Sequence, residues 1–328
     1  MSKRKKRRRK YTSLFVALIM LIIVGLFMTK YIEIKQRNFV EFQTVRKKLQ
    51  ETNQLVIYNR CLNIPYKSDQ VDSMFNELIN KLSSNSISIY FEELQNDYTL
   101  AFNENKSYYG ASIVKLFMAS YLIDNARLGL IDMNDTITYT SADARIASFK
   151  LEKHSVGEDI TIKTLLDYSI SASDNAAYAM LANYVGVDNF KEYVKNTFNI
   201  NLTINDNNLY SYLKVTDTNT LLHHIFDIIN GNDEYSVLLK DAMNNTYYNG
   251  INFDNITFLH KYGYYSTNYH NIGIYDSDNP YFISIFTLYG KADESHLSKM
   301  SEISKEIYNI YQNNLTEKEM YCYNLAYN

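Results

Sequence analysis

The segment Ser112-Ile113-Val114-Lys115 places a hydroxyl three residues ahead of an amine, at the start of the apolar run ASIVKLFMASYLI. On a helix, residues three apart share a face with their Cβ atoms about 5 to 6 Å apart, so this amine can reach this hydroxyl. The apolar neighbours Val114, Leu116 and Phe117 disfavour the ammonium form and make the lysine a proton acceptor. A serine activated in this way attacks carbonyl carbon, and the chemistry is acyl transfer. The four-residue pattern is weak when it stands alone. Ser2 to Lys5 matches it inside a basic tail, and a capping serine followed by a snorkelling lysine explains an isolated case.

Two further segments raise the specificity. Ser173-Asp174-Asn175 follows the helical run TIKTLLDYSISA and precedes AAYAMLANYVG, so it sits at a helix junction, where a cap is the plain alternative. A second Ser-Asp-Asn at 277–279, before Pro280, reads as a turn between strands. Lys261-Tyr262-Gly263 lies in the strand-like run ITFLHKYG, where an edge lysine followed by a bulge glycine is the plain alternative.

In order and placement, S-x-x-K at a helix start, S-D-N at a helix junction and K-x-G on a late strand resemble the signature of the class A β-lactamase and DD-peptidase group, the penicillin-recognising serine hydrolases. The resemblance runs from about Ser68 to the C-terminus and takes in Asp217-Thr218-Asn219-Thr220 and HKYGYYSTNYHNIGIYD. It implies an acyl-enzyme on Ser112, with Lys115 accepting the serine proton and Ser173 passing a proton to the leaving nitrogen. Asn175 would hold the substrate amide and the Lys115 amine, while Lys261 would supply positive charge beside Ser173 and a substrate carboxylate. Gly263 and Tyr264 would line the binding site, with the backbone N–H groups of Ser112 and Tyr264 as oxyanion hole, where a donor is worth about 3 kcal/mol. The implied substrates are β-lactams or cell-wall peptides, with no metal or other cofactor and no nucleic acid.

The pattern breaks in three places. Class A enzymes use a glutamate after S-D-N to activate the deacylating water, but no Glu occurs between Glu192 and Glu234. Asp206, in Asp206-Asn207-Asn208-Leu209-Tyr210, is the nearest candidate for a deacylation acid or base. Tyr262 stands where K-T-G has threonine, and no arginine follows Arg145 to help hold a carboxylate. Three outcomes fit: a hydrolase, a penicillin-binding carboxypeptidase or sensor that stays acylated, and a degenerate relative that keeps only the fold.

The elements that must position these residues are legible from periodicity. Ser68 can cap a helix whose Val71, Met74, Phe75, Leu78, Ile79 and Leu82 follow the 3.6-residue period. Residues 85–93 and 98–105 alternate as a hairpin; residues 256–263, 271–276 and 281–289 read as three more strands. A helix-rich middle separates the two groups, and Met300, Ile303, Ile307 and Ile310 mark a closing helix. The fold class is therefore α+β: a five-stranded antiparallel sheet flanked by N- and C-terminal helices, with an all-helical subdomain.

Ahead of this domain, residues 1–10 carry eight Lys or Arg and no acid, leaving −11 for the rest of a chain whose net charge is −3. Residues 11–29 carry no charge and rise about 28 Å as a helix, close to the hydrocarbon thickness of a bilayer. The basic run then explains topology better than nucleic-acid binding: N-terminus cytoplasmic, one membrane pass, the rest extracellular. No small-x-small cleavage site follows Thr29, which argues against a signal peptide. The organisation reads as a basic tail (1–10), a transmembrane helix (11–29), a helical stalk (30–60) and the hydrolase-like domain (61–328). Cys61 and Cys322, the only cysteines, would lie outside the membrane, where either two buried thiols or a disulfide fits. The resemblance implies that the first and last helices of the domain pack antiparallel, which favours the disulfide.

Overall fold

The computed structural model describes residues 3–50, 54–82, 86–289 and 294–327, with side chains from Met20 onward apart from residues 47–50, 54–55 and 327. The described chain divides into two units, one formed by the residues up to Asn63 with those from Glu319, the other by Ile64–Lys318.

The first unit holds the helices α1 (Lys3–Gln50) and α2 (Gln54–Leu62) and the end of the last helix. A disulfide joins Cys61 to Cys322 with their Cα atoms 5.5 Å apart, so the disulfide alternative holds. Tyr58 and Ala326 are buried around it, with Val45, Leu62 and Tyr323 packed alongside. Segment 11–29 falls within α1, but its side chains up to Ile19 lie outside the described residues. Among the described residues no helix is long and apolar enough to cross a membrane.

The second unit opens with α3 (Asp69–Leu82), where the Ser68 hydroxyl accepts from Gln70 N at 3.1 Å and Asp69 and Asp72 complement the helix N-terminus. In chain order follow β1 (Ile87–Glu93), β2 (Tyr98–Phe102), β3 (Tyr108–Tyr109) and α4 (Val114–Arg127). Next come β4 (Thr136–Thr138), β5 (Asp159–Thr161), α5 (Ile162–Ser171), α6 (Asn175–Val185), α7 (Val187–Phe198) and β6 (Tyr212–Leu213). The chain closes with α8 (Val215–Ile229), α9 (Glu234–Asn244), β7 (Leu259–Tyr265), β8 (Asn268–Tyr275), β9 (Tyr281–Thr287) and α10 (Glu294–Tyr327).

Five strands form one antiparallel sheet in the order β2-β1-β9-β8-β7, which brings the late strands between the early hairpin and the edge strand β7. Alternation along β9 divides the core, because successive side chains leave opposite faces. Tyr281, Ile283 and Ile285 pack with Val71, Phe75 and Leu78 of α3 and with Met300, Ile303 and Ile307 of α10. Phe282 and Phe286 pack on the other face, with the helical layer that includes Leu221, Leu222 and Ile225 of α8. Between them Ser284 finds a partner in the Thr218 hydroxyl, 2.8 Å away. Ile283 is fully buried, so its truncation to alanine costs about 2–5 kcal/mol.

Two expectations needed adjustment. The strand expected from residue 256 begins only at Leu259, because Phe253 and Ile256 exchange backbone hydrogen bonds and close a tight turn first. The pairs β3–β6, of two residues each, and β4–β5, of three, escaped the periodicity, being too short to show one.

Candidate active site

A single 3-10 turn, Ala111–Ile113, carries the chain into α4. Ala111 has φ 45°, in the left-handed region that costs a side-chain-bearing residue about 1–2 kcal/mol. Preceding Gly110 is tied down by its N–H, which donates to Ser211 O at 2.9 Å. Together they hold Ser112 on the wall of an open cleft of about 570 Å³, with only 8% of the residue exposed.

One turn further, Lys115 is fully buried. Its Nζ lies 2.6 Å from Ser173 O, 2.8 Å from Asn175 Oδ1 and 3.3 Å from Ser173 Oγ. Burial pushes the amine down to about 7, partly opposed by the carboxylate of Asp174. The amine donates to Ser173 O and Asn175 Oδ1 and, over a longer distance, to Ser173 Oγ. Among the described residues no hydrogen bond joins Lys115 to the Ser112 hydroxyl, so the pairing expected from S-x-x-K spacing is not formed and the amine turns toward S-D-N.

The S-D-N corner is built by its aspartate. Asp174 caps α6 by accepting from Ala177 N at 3.0 Å, and its other oxygen accepts from Ser148 Oγ at 2.6 Å and from the N–H groups of Phe149, Lys150 and Leu151. Burial alone would raise this carboxyl, but those hydrogen bonds outweigh it and hold the group below the ordinary carboxylate range. The corner forces Ser173 to φ 53°, a second strained residue beside the cleft. Asn175 Oδ1 also accepts from Tyr210 OH at 2.9 Å; two donors on one oxygen fix the amide and leave its NH2 for the cleft.

Strand β7 supplies the opposite wall. A Cβ on Gly263 would stand 2.7 Å from Gly110 O and 3.3 Å from Ile113 N, so only glycine lets the strand lie against the turn that carries Ser112. Tyr264 follows and, like Ser112, lines the cleft. Lys261 is fully buried; burial, and then the charge of Lys115, push its amine well below its ordinary value. Its Nζ donates to Tyr262 O at 3.1 Å and lies 4.3 Å from the centre of the Tyr262 ring.

Residues 70–311 match the Beta-lactamase enzyme family. The chain belongs to that family. By sequence it matches no curated relative. Its fold is that of class A β-lactamases and of PBP-A. The structure of PBP-A superposes with a TM-score of 0.66 at 17% identity, covering 76% of this chain and 98% of PBP-A. A mutant of PBP-A in an acyl-enzyme complex with penicillin G gives 0.66 at 16% identity, over 76% and 99% of the two chains. A class A β-lactamase from Bacteroides cellulosilyticus gives 0.64 at 21% identity, over 75% and 100%.

The loop after S-D-N keeps its acid away from this cleft. Asp206 is exposed, in a turn closed by Asn205 and Asn208, and lines a separate depression with Gly186 and Asp188. It is not brought to the Ser112 cleft, because that turn points its acid outward to solvent. Tyr210 enters the cleft instead, held by its bond to Asn175 and by packing on Tyr178 and Tyr109. Six tyrosines (109, 210, 248, 262, 264 and 265) and Phe149 line the cleft with Ala111, Ser112, Ser173 and Asn175. Among the described residues that lining holds no Asp, Glu, Lys, Arg or His, and no group of His, Cys, Asp and Glu is arranged to hold a metal ion. Sequence reasoning missed the aromatic lining, since its members come from separate loops; the high tyrosine count of 31 was the one available hint.

Proposed function

We propose that the chain is a serine hydrolase of the β-lactamase type that forms an acyl-enzyme on Ser112 with β-lactams or cell-wall peptides and releases it slowly. The observation that carries this reading is the buried Lys115 amine, near 7, bonded to Ser173 and Asn175 one helical turn from Ser112. On substrate binding, Ser112 Oγ attacks the carbonyl carbon and its proton passes to the neutral Lys115 amine. The C–N bond then breaks, and the departing nitrogen takes its proton from Ser173, which recovers one from Lys115. Water completes the cycle by attacking the ester and freeing the acid. No carboxylate lines the cleft among the described residues to activate that water, which supports slow release. The penicillin G complex of a PBP-A mutant supports a β-lactam as acyl donor.

The same missing carboxylate favours a second reading, a sensor that stays acylated. We also propose that the hydrolase domain, 61–328, lies outside the cell on a single N-terminal membrane helix, residues 11–29, followed by a stalk. The uncharged run and the basic tail support this, as does the exposure of every large apolar side chain from Met20 to Met28.

The test is labelling of the full-length protein in membranes with a fluorescent penicillin, with Ser112→Ala as control, followed by a chase. Label on the native chain alone, retained for many minutes, is the expected result; absence of label from both proteins would remove the acyl-transfer reading.

A further inference from the structure

We infer that Tyr262 makes this cleft select acyl compounds that carry no carboxylate beside the scissile bond; the inference rests on the acyl-transfer reading above and names its substrate class. Carboxylate recognition needs a cation exposed to the ligand. Lys261 is the only lysine that β7 contributes, and it is fully buried, with its amine spent on Tyr262 O and on the face of the Tyr262 ring. The ring itself lines the cleft, and its hydroxyl interacts with Ser173. The phenol therefore stands between the buried amine and any ligand. It is also a poor anion in its own right, since burial pushes it up to about 12.

The rest of the lining agrees. Among the described residues it offers tyrosine rings, Phe149 and a few neutral polar groups, and no cation. A carboxylate entering this space would lose its hydration without gaining a counter-ion, whereas an ester or a neutral amide would lose little and gain contact with aromatic faces. Among β-lactams, peptides and simple esters, the favoured substrates are therefore those that are neutral around the reacting carbonyl, with free acids such as penicillin acylating more slowly. Acylation follows the course given above: the Ser112 Oγ–acyl bond forms, the bond to the leaving nitrogen or oxygen breaks, and the leaving group departs with the proton.

The experiment compares penicillin G, its methyl ester and the neutral ester phenyl phenylacetate on the full-length protein in detergent. Adducts on Ser112 are read by mass spectrometry, and each rate is divided by that compound's rate with hydroxide. The methyl ester is expected to acylate at least tenfold faster than the free acid. In Tyr262→Thr the ratio of the free-acid rate to the ester rate is expected to rise at least tenfold, and in Tyr262→Phe the native ratio is expected to persist. A free acid that reacts as fast as its ester on the native protein overturns the inference whatever the variants do, and leaves the acyl-transfer reading standing. No adduct from any of the three compounds overturns the acyl-transfer reading, and the inference with it.

Discussion

Acylation of Ser112 should follow the protonation of Lys115 through neutral pH. With the amine at about 7, the neutral, proton-accepting form makes up about 1% of the protein at pH 5, half at pH 7 and nearly all at pH 9. The acylation rate should therefore climb about fifty-fold from pH 5 to pH 7 and only about twofold more by pH 9. Burial sets the midpoint first by pushing the amine down, and the Asp174 carboxylate raises it. Asp174→Asn should move the inflection to lower pH. Lys115→Arg, a permanent cation, should give slow acylation without the inflection. The assay is the second-order rate of adduct formation on the full-length chain at constant ionic strength, followed by mass. A rate independent of pH between 5 and 8, or an inflection near the ordinary lysine value of 10.5, would refute the reasoning. Stability runs in the same direction. Because folding lowers this amine, the unfolded chain binds the extra proton, so stability is least below about 7 and rises as pH climbs from 7 toward 10.5. The gain is about 5 kcal/mol in the limit, visible as a rising urea midpoint.

Gly263→Ala should slow labelling by about a hundredfold, because the new methyl meets the backbone at Gly110 and must push β7 away from the turn of Ser112; a labelling rate within threefold of native would show that the close approach is dispensable. Asp206→Asn should leave both the rate and the lifetime of the acyl-enzyme unchanged, as read by label and chase, since the acid faces solvent beside a different depression. Tyr210→Phe removes one of the two donors on Asn175 Oδ1 and should slow acylation by about fivefold, corresponding to about 1 kcal/mol, with Tyr210→Leu falling further in the same kinetic assay.

The fold was legible where a pattern repeats over several residues. The α3 helix, the hairpin of β1 and β2, and the late strands β8 and β9 all announce themselves by a period of 3.6 or 2 and by capping or turn residues at their ends. The second Ser-Asp-Asn does fall in the turn between β8 and β9, where Pro280 suggested it. Within the site, S-x-x-K, S-D-N and K-x-G each mark a place where the backbone is unusual: Ala111 and Ser173 in the left-handed region, Gly263 against a carbonyl. Such strained or crowded positions restrict residue type strongly, so they leave a readable trace. The cleft lining does not. Tyr109, Tyr210, Tyr248 and Tyr265 meet only after folding, and each alone looks like an ordinary surface or loop tyrosine. Orientation was equally hidden: spacing places Lys115 near Ser112, but the competition between the Ser112 hydroxyl and the better acceptors of Ser173 and Asn175 is settled in three dimensions.

The bond between Cys61 and Cys322 has a mechanical meaning. It closes a covalent ring over a sequence separation of 261 residues that contains every element of the Ser112 cleft. Tension applied between the two termini runs from α2 across the sulfurs to the end of α10 and bypasses the ring. Pulled in that way, the oxidised protein should lengthen only by its tails, and the cleft should keep its shape under loads that would unravel the reduced chain.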